Sequence, residues 1–130
     1  MIRLSIAGLM VLIVGGANAA TNETIFQDCK KYVENGFETK KISDLSCVVY
    51  FSGVRDVLAD ICREYQHISN NLTGGEKAVF EFFGVGEDVS VNAAIQHYVN
   101  KMEKMPEDWK YNAAMEVRKS LQKIDVCRPE

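Results

Sequence analysis

The chain has 130 residues, 47% of them hydrophobic, with 15 Lys and Arg against 18 Asp and Glu for a formal charge of −3. That length suits one domain built on one core. The acidic balance and scattered basic residues argue against a nucleic-acid partner, whose binding draws mainly on Lys and Arg contacts to phosphate.

The first nineteen residues have the pattern of a cleaved export signal. Arg3 supplies the positive start, residues 6–14 form a short apolar run broken by Gly8, and Ala17-Asn18-Ala19 places small residues at the positions a signal peptidase reads. The run is shorter than the roughly 20 apolar residues that span a bilayer. The expected mature chain, a single helical domain over 20–130 with no membrane insertion, begins at Ala20.

A first helix is expected with Ile25, Cys29, Tyr32 and Val33 on one face, Asn22 as N-cap and Asn35-Gly36 as the stop. A second opens at Ser43 or Asp44 and runs to about Tyr65. Leu45, Val48, Val49, Phe51, Val54, Leu58 and Ile61 surround most of its circumference, which marks a buried central helix. Its rival is a strand at 47–51. Gly53 within it suggests a neighbouring backbone passing close by.

The stretch 69–88 is the longest break in periodicity. Ser69-Asn70-Asn71-Leu72-Thr73-Gly74-Gly75 has turn composition, and Gly74 and Gly75 permit a sharp bend. Residues 76–83 fit either two helical turns or an extended run. Val79, Phe80, Phe82 and Phe83 are flanked there by Glu76, Glu81, Glu87 and Asp88. Long loops are disproportionately functional, so this segment reads as a protruding apolar wedge with an acidic rim, or as a cap on the core.

Val91, Ile95, Tyr98, Met102 and Met105 make the stripe of a further helix over 90–104. Pro106 then fits the first position of a last helix carrying Trp109, Ala113, Val117, Leu121 and Ile124, closed by Cys127. The expectation is an all-α, compact, disulfide-stapled bundle of four to five helices with one long protruding loop.

Four cysteines, Cys29, Cys47, Cys62 and Cys127, follow the signal, and an even count in a small exported domain reads as two disulfides. A short connection makes the first two helices antiparallel and brings Cys29 near Cys47. Cys47 and Cys62 lie roughly 22 Å apart along one straight helix and cannot bond each other. The consistent pairing is Cys29–Cys47 with Cys62–Cys127; Cys29–Cys127 with a different partner for Cys47 stays open.

Catalytic chemistry is hard to assemble from this sequence. Paired cysteines leave no thiolate, His67 and His97 stand apart, and Gly84-Val85-Gly86 lacks the third glycine and preceding strand of a phosphate loop. No enzyme, metal site or cofactor is expected.

Cys47-Val48-Val49-Tyr50-Phe51-Ser52-Gly53-Val54-Arg55-Asp56 resembles the C-x-x-Y-x-x-G-V-x-D stretch of the Rap/Tai-type immunity proteins of bacterial type VI secretion. The later run from Val89-Ser90 through His97-Tyr98-Val99, Pro106, Ala113-Ala114, Val117 and Leu121 to Cys127 is similar too. The chain departs from the family where Gly84-Val85-Gly86 replaces a Cys-x-Pro element and Val126 replaces a Pro before the final Cys. The resemblance implies a periplasmic, all-α immunity protein, often a homodimer, that blocks a peptidoglycan amidase effector by inserting a loop into its cleft. Carried to this sequence, the toxin-binding residues are Gly74, Gly75, Glu76, Glu81, Phe82, Phe83, Glu87 and Asp88. Gly53 or the apolar surplus of the second helix offers a dimer surface that no residue pattern fixes. The alternative function is a small periplasmic helical chaperone or acid-stress protein.

Overall fold

A computed structural model describes residues 20–129; the expected export signal, 1–19, lies outside the described residues. Among the described residues five α-helices form the bundle: α1 (Asn22–Glu34), α2 (Leu45–Ile68), α3 (Gly74–Phe83), α4 (Val91–Lys104) and α5 (Ala113–Ile124). Single 3₁₀ turns precede α2, follow it, and follow α4. Among the described residues the only β pairings are two isolated bridges, Thr21 with Asn112 and Val85 with Val126. The strand alternative at 47–51 is therefore not adopted. No described helix is long and apolar enough to cross a membrane.

Helix α1 forms because Ile25, Phe26, Cys29 and Tyr32 recur at helical spacing and are all buried. Its N-cap is Thr21, not Asn22 as the sequence suggested. Asn22 is instead fully buried at the first helical position. Its amide nitrogen donates to the Asp108 carbonyl at 3.0 Å, and the Tyr98 hydroxyl donates to both its backbone and side-chain oxygens at 3.1 and 3.0 Å. The first backbone N–H groups of a helix have no partner within it. Here those of Asn22 and Glu23 donate to the carbonyls of Tyr111 and Trp109, at 2.8 and 2.9 Å. At the other end the Gly36 and Phe37 N–H groups return to the carbonyls of Val33 and Tyr32. This is a Schellman closure, with Gly36 at φ 71°. Phe37 also takes a left-handed φ of 62°, a conformation costing a non-glycine residue about 1–2 kcal/mol. Its ring packs edge-on against Tyr32 at 5.6 Å, which offsets that cost.

The main core joins α1, α2, α4 and α5 around Phe26, Phe51, Ile95, Tyr98, Met102, Val117 and Leu121. Cys29–Cys47 lies inside it and ties α1 to α2, with Cα atoms 4.9 Å apart. A smaller second cluster holds Cys62, Tyr65 and Cys127, with Leu72 and Phe80 against it. Cys62–Cys127, Cα atoms 5.5 Å apart, fixes the end of the chain to α2. This is the pairing the helix geometry favoured, and no described cysteine is free.

Three local expectations change. Helix α2 is the longest but is not buried all round: Leu45, Val49 and Val57 are exposed, because its neighbours cover one side only. Gly53 has nothing within 4 Å of where a Cβ would stand, so no backbone approach explains it. Pro106 opens a 3₁₀ turn rather than the last helix, which starts at Ala113 under an Asn112 cap. Trp109 thus leaves the helical stripe. It packs on Phe26 at 5.0 Å and donates its indole N–H to the Met102 carbonyl at 2.8 Å.

Between α4 and α5, Glu116 accepts from Lys101 and Lys119. Burial alone would raise its pKa, but the two ammonium groups outweigh it and hold the carboxyl below its ordinary range. His97 lies 3.3 Å from the Ser120 hydroxyl. Burial, helped by the charges of Lys101 and Lys123, holds its pKa below the ordinary 6.5.

Asn22→Ala is expected to lower stability by about 1–2 kcal/mol, because it removes the side-chain bonds to the Tyr98 hydroxyl and the Asp108 carbonyl, which keep the residue 22 backbone oxygen and the Tyr111 N–H as their remaining partners; urea unfolding at unchanged slope checks this. A native His97 that resists protonation contributes stability above pH 6.5 that is lost as pH falls through its lower native value. Glu116 adds a second loss further down, below 4.5. Across a pH series of thermal melts, His97→Gln should abolish the upper step and keep the lower one.

Candidate functional site

The segment 69–88 is where the sequence placed recognition, and its middle is helical. Thr73 and Glu76 close a capping box: the Thr73 hydroxyl accepts from the Glu76 N–H at 3.3 Å, and the Glu76 carboxylate accepts from the Thr73 N–H at 2.8 Å. Of the two readings for 76–83, the helical one is realised. Gly74 and Gly75 form the first turn of α3 rather than a bend, with nothing within 4 Å and no positive φ. The capping box starts the helix without one.

No residue of α3 is fully buried. Phe80 turns inward and stacks on Tyr65 with centroids 5.7 Å apart. Glu81 accepts the Tyr65 hydroxyl at 3.1 Å; burial first, then this carboxylate, raises the pKa of the phenol. Phe82 and Phe83 turn outward, 50% and 42% exposed, and meet edge to face at 5.0 Å. The other four phenylalanines, Phe26, Phe37, Phe51 and Phe80, are buried or half-buried, so this pair is set apart from the rest of its kind.

Their position is fixed from α5. The last carbonyls of a helix need external donors. Arg118 donates to the Phe82 carbonyl, and Gln122 donates to those of Phe82 and Gly84 at 2.8 and 3.0 Å. The Arg118 guanidinium also lies 4.1 Å from the centre of the Phe82 ring. A cation here suits the negative end of the α3 dipole. Burial lowers the pKa of Arg118 while Glu116 opposes the shift. Its Nε has no partner.

Beside the pair runs an open apolar groove of about 220 Å³, lined by Val54, Leu58, Phe83, Ala114, Met115 and Arg118. The exposed side chain of Met115 extends its rim.

The expected acidic rim is dispersed. Glu81 is the acid that shares the C-terminal end of α3 with Phe82 and Phe83. Glu76 sits at the opposite end, about 10 Å away along the helix, and is occupied by the capping box. Glu87 pairs with Arg63 at 2.7 Å, and Arg63 pairs in turn with Asp60. Asp88 is exposed beside Glu87, past the buried Gly84-Val85-Gly86 connection. Sequence reasoning missed Arg118, Gln122 and Met115. They flank the apolar stripe of α5 at helical spacing, but nothing local indicates that α3 ends against them.

Among the described residues no group of three or more His, Cys, Asp or Glu could hold a metal ion. No family model, curated protein or solved structure matches the chain.

Gln122→Ala removes the side chain bridging the carbonyls of Phe82 and Gly84 at the end of α3. The expected cost is about 1–2 kcal/mol. Amide exchange should rise in α3 and stay unchanged in α4, which exchange resolved by peptide would check.

Proposed function

We propose that this chain is an exported binding protein that presents the Phe82–Phe83 edge to a cleft in another protein. One observation carries the reading: two exposed aromatic side chains stand at a helix end that Arg118 and Gln122 hold in place. Rigid aromatics beside an apolar groove are the usual centre of a binding hot spot. The cost of ordering them is met by the fold and not by the encounter.

The partner we propose is a peptidoglycan amidase injected by type VI secretion, with this chain as its periplasmic immunity protein. Support comes from the resemblance of the 47–56 motif and from the signal pattern at 1–19. Two disulfides also suit an oxidising compartment. Inhibition is by occlusion: Phe82 and Phe83 fill the cleft and exclude substrate. Glu81 stands next to them as the acid able to meet a basic group at the cleft wall. The chain acts as a blocker and performs no catalysis of its own.

Phe82→Ala should weaken binding to the proposed amidase partner by about tenfold to a hundredfold, measured by titration calorimetry. The thermal midpoint should move little, because the ring is half exposed. Unchanged affinity would sink the edge model. Binding of many unrelated unfolded proteins, with none for the amidase, would favour the chaperone alternative.

A further inference from the structure

The two disulfides hold different parts of the molecule. Cys29 and Cys47 are wholly buried within the main core, where aromatic and aliphatic side chains pack α1 to α2 on every side. Phe26, Phe51 and Tyr98 belong to the same core, so the packing there does not run through the bond alone. Cys62 and Cys127 belong to the satellite cluster, and there the disulfide forms much of the floor. Gly84 lies directly on Cys127: a Cβ at Gly84 would stand 3.0 Å from the Cys127 Cβ and 3.2 Å from its Sγ. Phe80 packs against the same cluster.

Helix α3 has little else to hold it. None of its residues is fully buried, and its contacts run through Phe80, Glu81 and the donors on α5. On its far side Val85 is fully buried in the main core and donates its N–H to the Leu58 carbonyl at 3.2 Å. Before it, Ser69 is buried as well. The weakly held stretch is therefore bounded at both ends. The tail that carries Cys127 is light too, joined through the Val85–Val126 bridge, the Gly86 N–H to the Asp125 carbonyl, and the Gln66 amide to the Arg128 carbonyl. Elements with few buried contacts open first.

We propose that Cys62–Cys127 is a redox latch on α3, so that its reduction releases residues 72–84 and the chain end while the four-helix core stays folded. A small dithiol supplies the two electrons and two protons. The S–S bond breaks, Cys62 and Cys127 become thiols, and the dithiol closes to its own disulfide. Cys127 is the point of attack: its residue is 7% exposed, against 0%, 0% and 1% for the other three cysteines. The consequence for recognition rests on the proposed role of the Phe82–Phe83 edge. Oxidised, the edge is held for binding; reduced, it is mobile and binds poorly.

Graded dithiothreitol treatment of the full chain, followed by alkylation and hydrogen exchange read by mass spectrometry, tests the latch without any partner. Cys62 and Cys127 should be alkylated first. Exchange in 72–84 should then accelerate by roughly tenfold or more, with peptides covering 94–102 unchanged. The Cys62→Ser/Cys127→Ser variant should reproduce that pattern in the absence of reductant. Exchange rising in step through both regions, no rise in 72–84, or prior alkylation of Cys29 and Cys47 would each overturn the latch. Wild-type reduction carries the test if the variant does not fold. Because no amidase is present, these outcomes are separate from the success or failure of the immunity reading.

Discussion

The hydrogen bonds around Asn22 and Tyr98 are the constraint on which the helix arrangement rests. One buried amide and one buried hydroxyl join three stretches far apart in sequence: the start of α1, the middle of α4 and the turn after Pro106. Buried polar groups are costly unless satisfied, and this set is satisfied in one geometry. Rotating α4 by a single residue would move the buried Tyr98 hydroxyl away from both of its acceptors on Asn22. Apolar packing alone tolerates such slips; the polar cluster does not. It therefore specifies the register of α1 against α4, and Phe51, whose ring meets Tyr98 at 5.5 Å, brings α2 into the same register.

Around that centre the molecule divides unequally. The main core is closed on all sides by α1, α2, α4 and α5, whereas α3 rests on a thin cluster and on side chains reaching from α5. The division concentrates adaptability in one place. The end of α3 offers exposed aromatics, an apolar groove and a partly satisfied arginine, all at one corner. A rigid body carrying one lightly held element is a common arrangement for recognition, since surfaces that engage partners come from the less stable parts of a fold.

Much of this was legible in the residues. Helical spacing gave α1 and α4 almost to their ends, and the helix geometry favoured the observed disulfides. The failures share a cause. Asn22 looks like an N-cap because Asn usually caps; only the distant Tyr98 makes burial at the next position worthwhile. Pro106 looks like a helix start, but the chain must turn so that Trp109 and Tyr111 offer their carbonyls to α1. The apolar circumference of α2 suggested full burial, and Val49 and Val57 remain exposed because nothing in sequence limits how many helices surround it. At the candidate site, Phe82 and Phe83 were identifiable by composition. Arg118 and Gln122 were not, since capping from another helix leaves no local pattern.

The bonding of α1 to the turn at 109–111 also bears on the order in which the polypeptide can finish folding. The first of the described helices depends for its opening amides on carbonyls translated much later. Cys29–Cys47, with a sequence separation of 18, can close early; Cys62–Cys127, separated by 65, must wait for the end of the chain. A polypeptide that emerges from its N-terminus thus stays incomplete until its last residues are free. The fold is completed from its far end: the segments that close it are the last to become available.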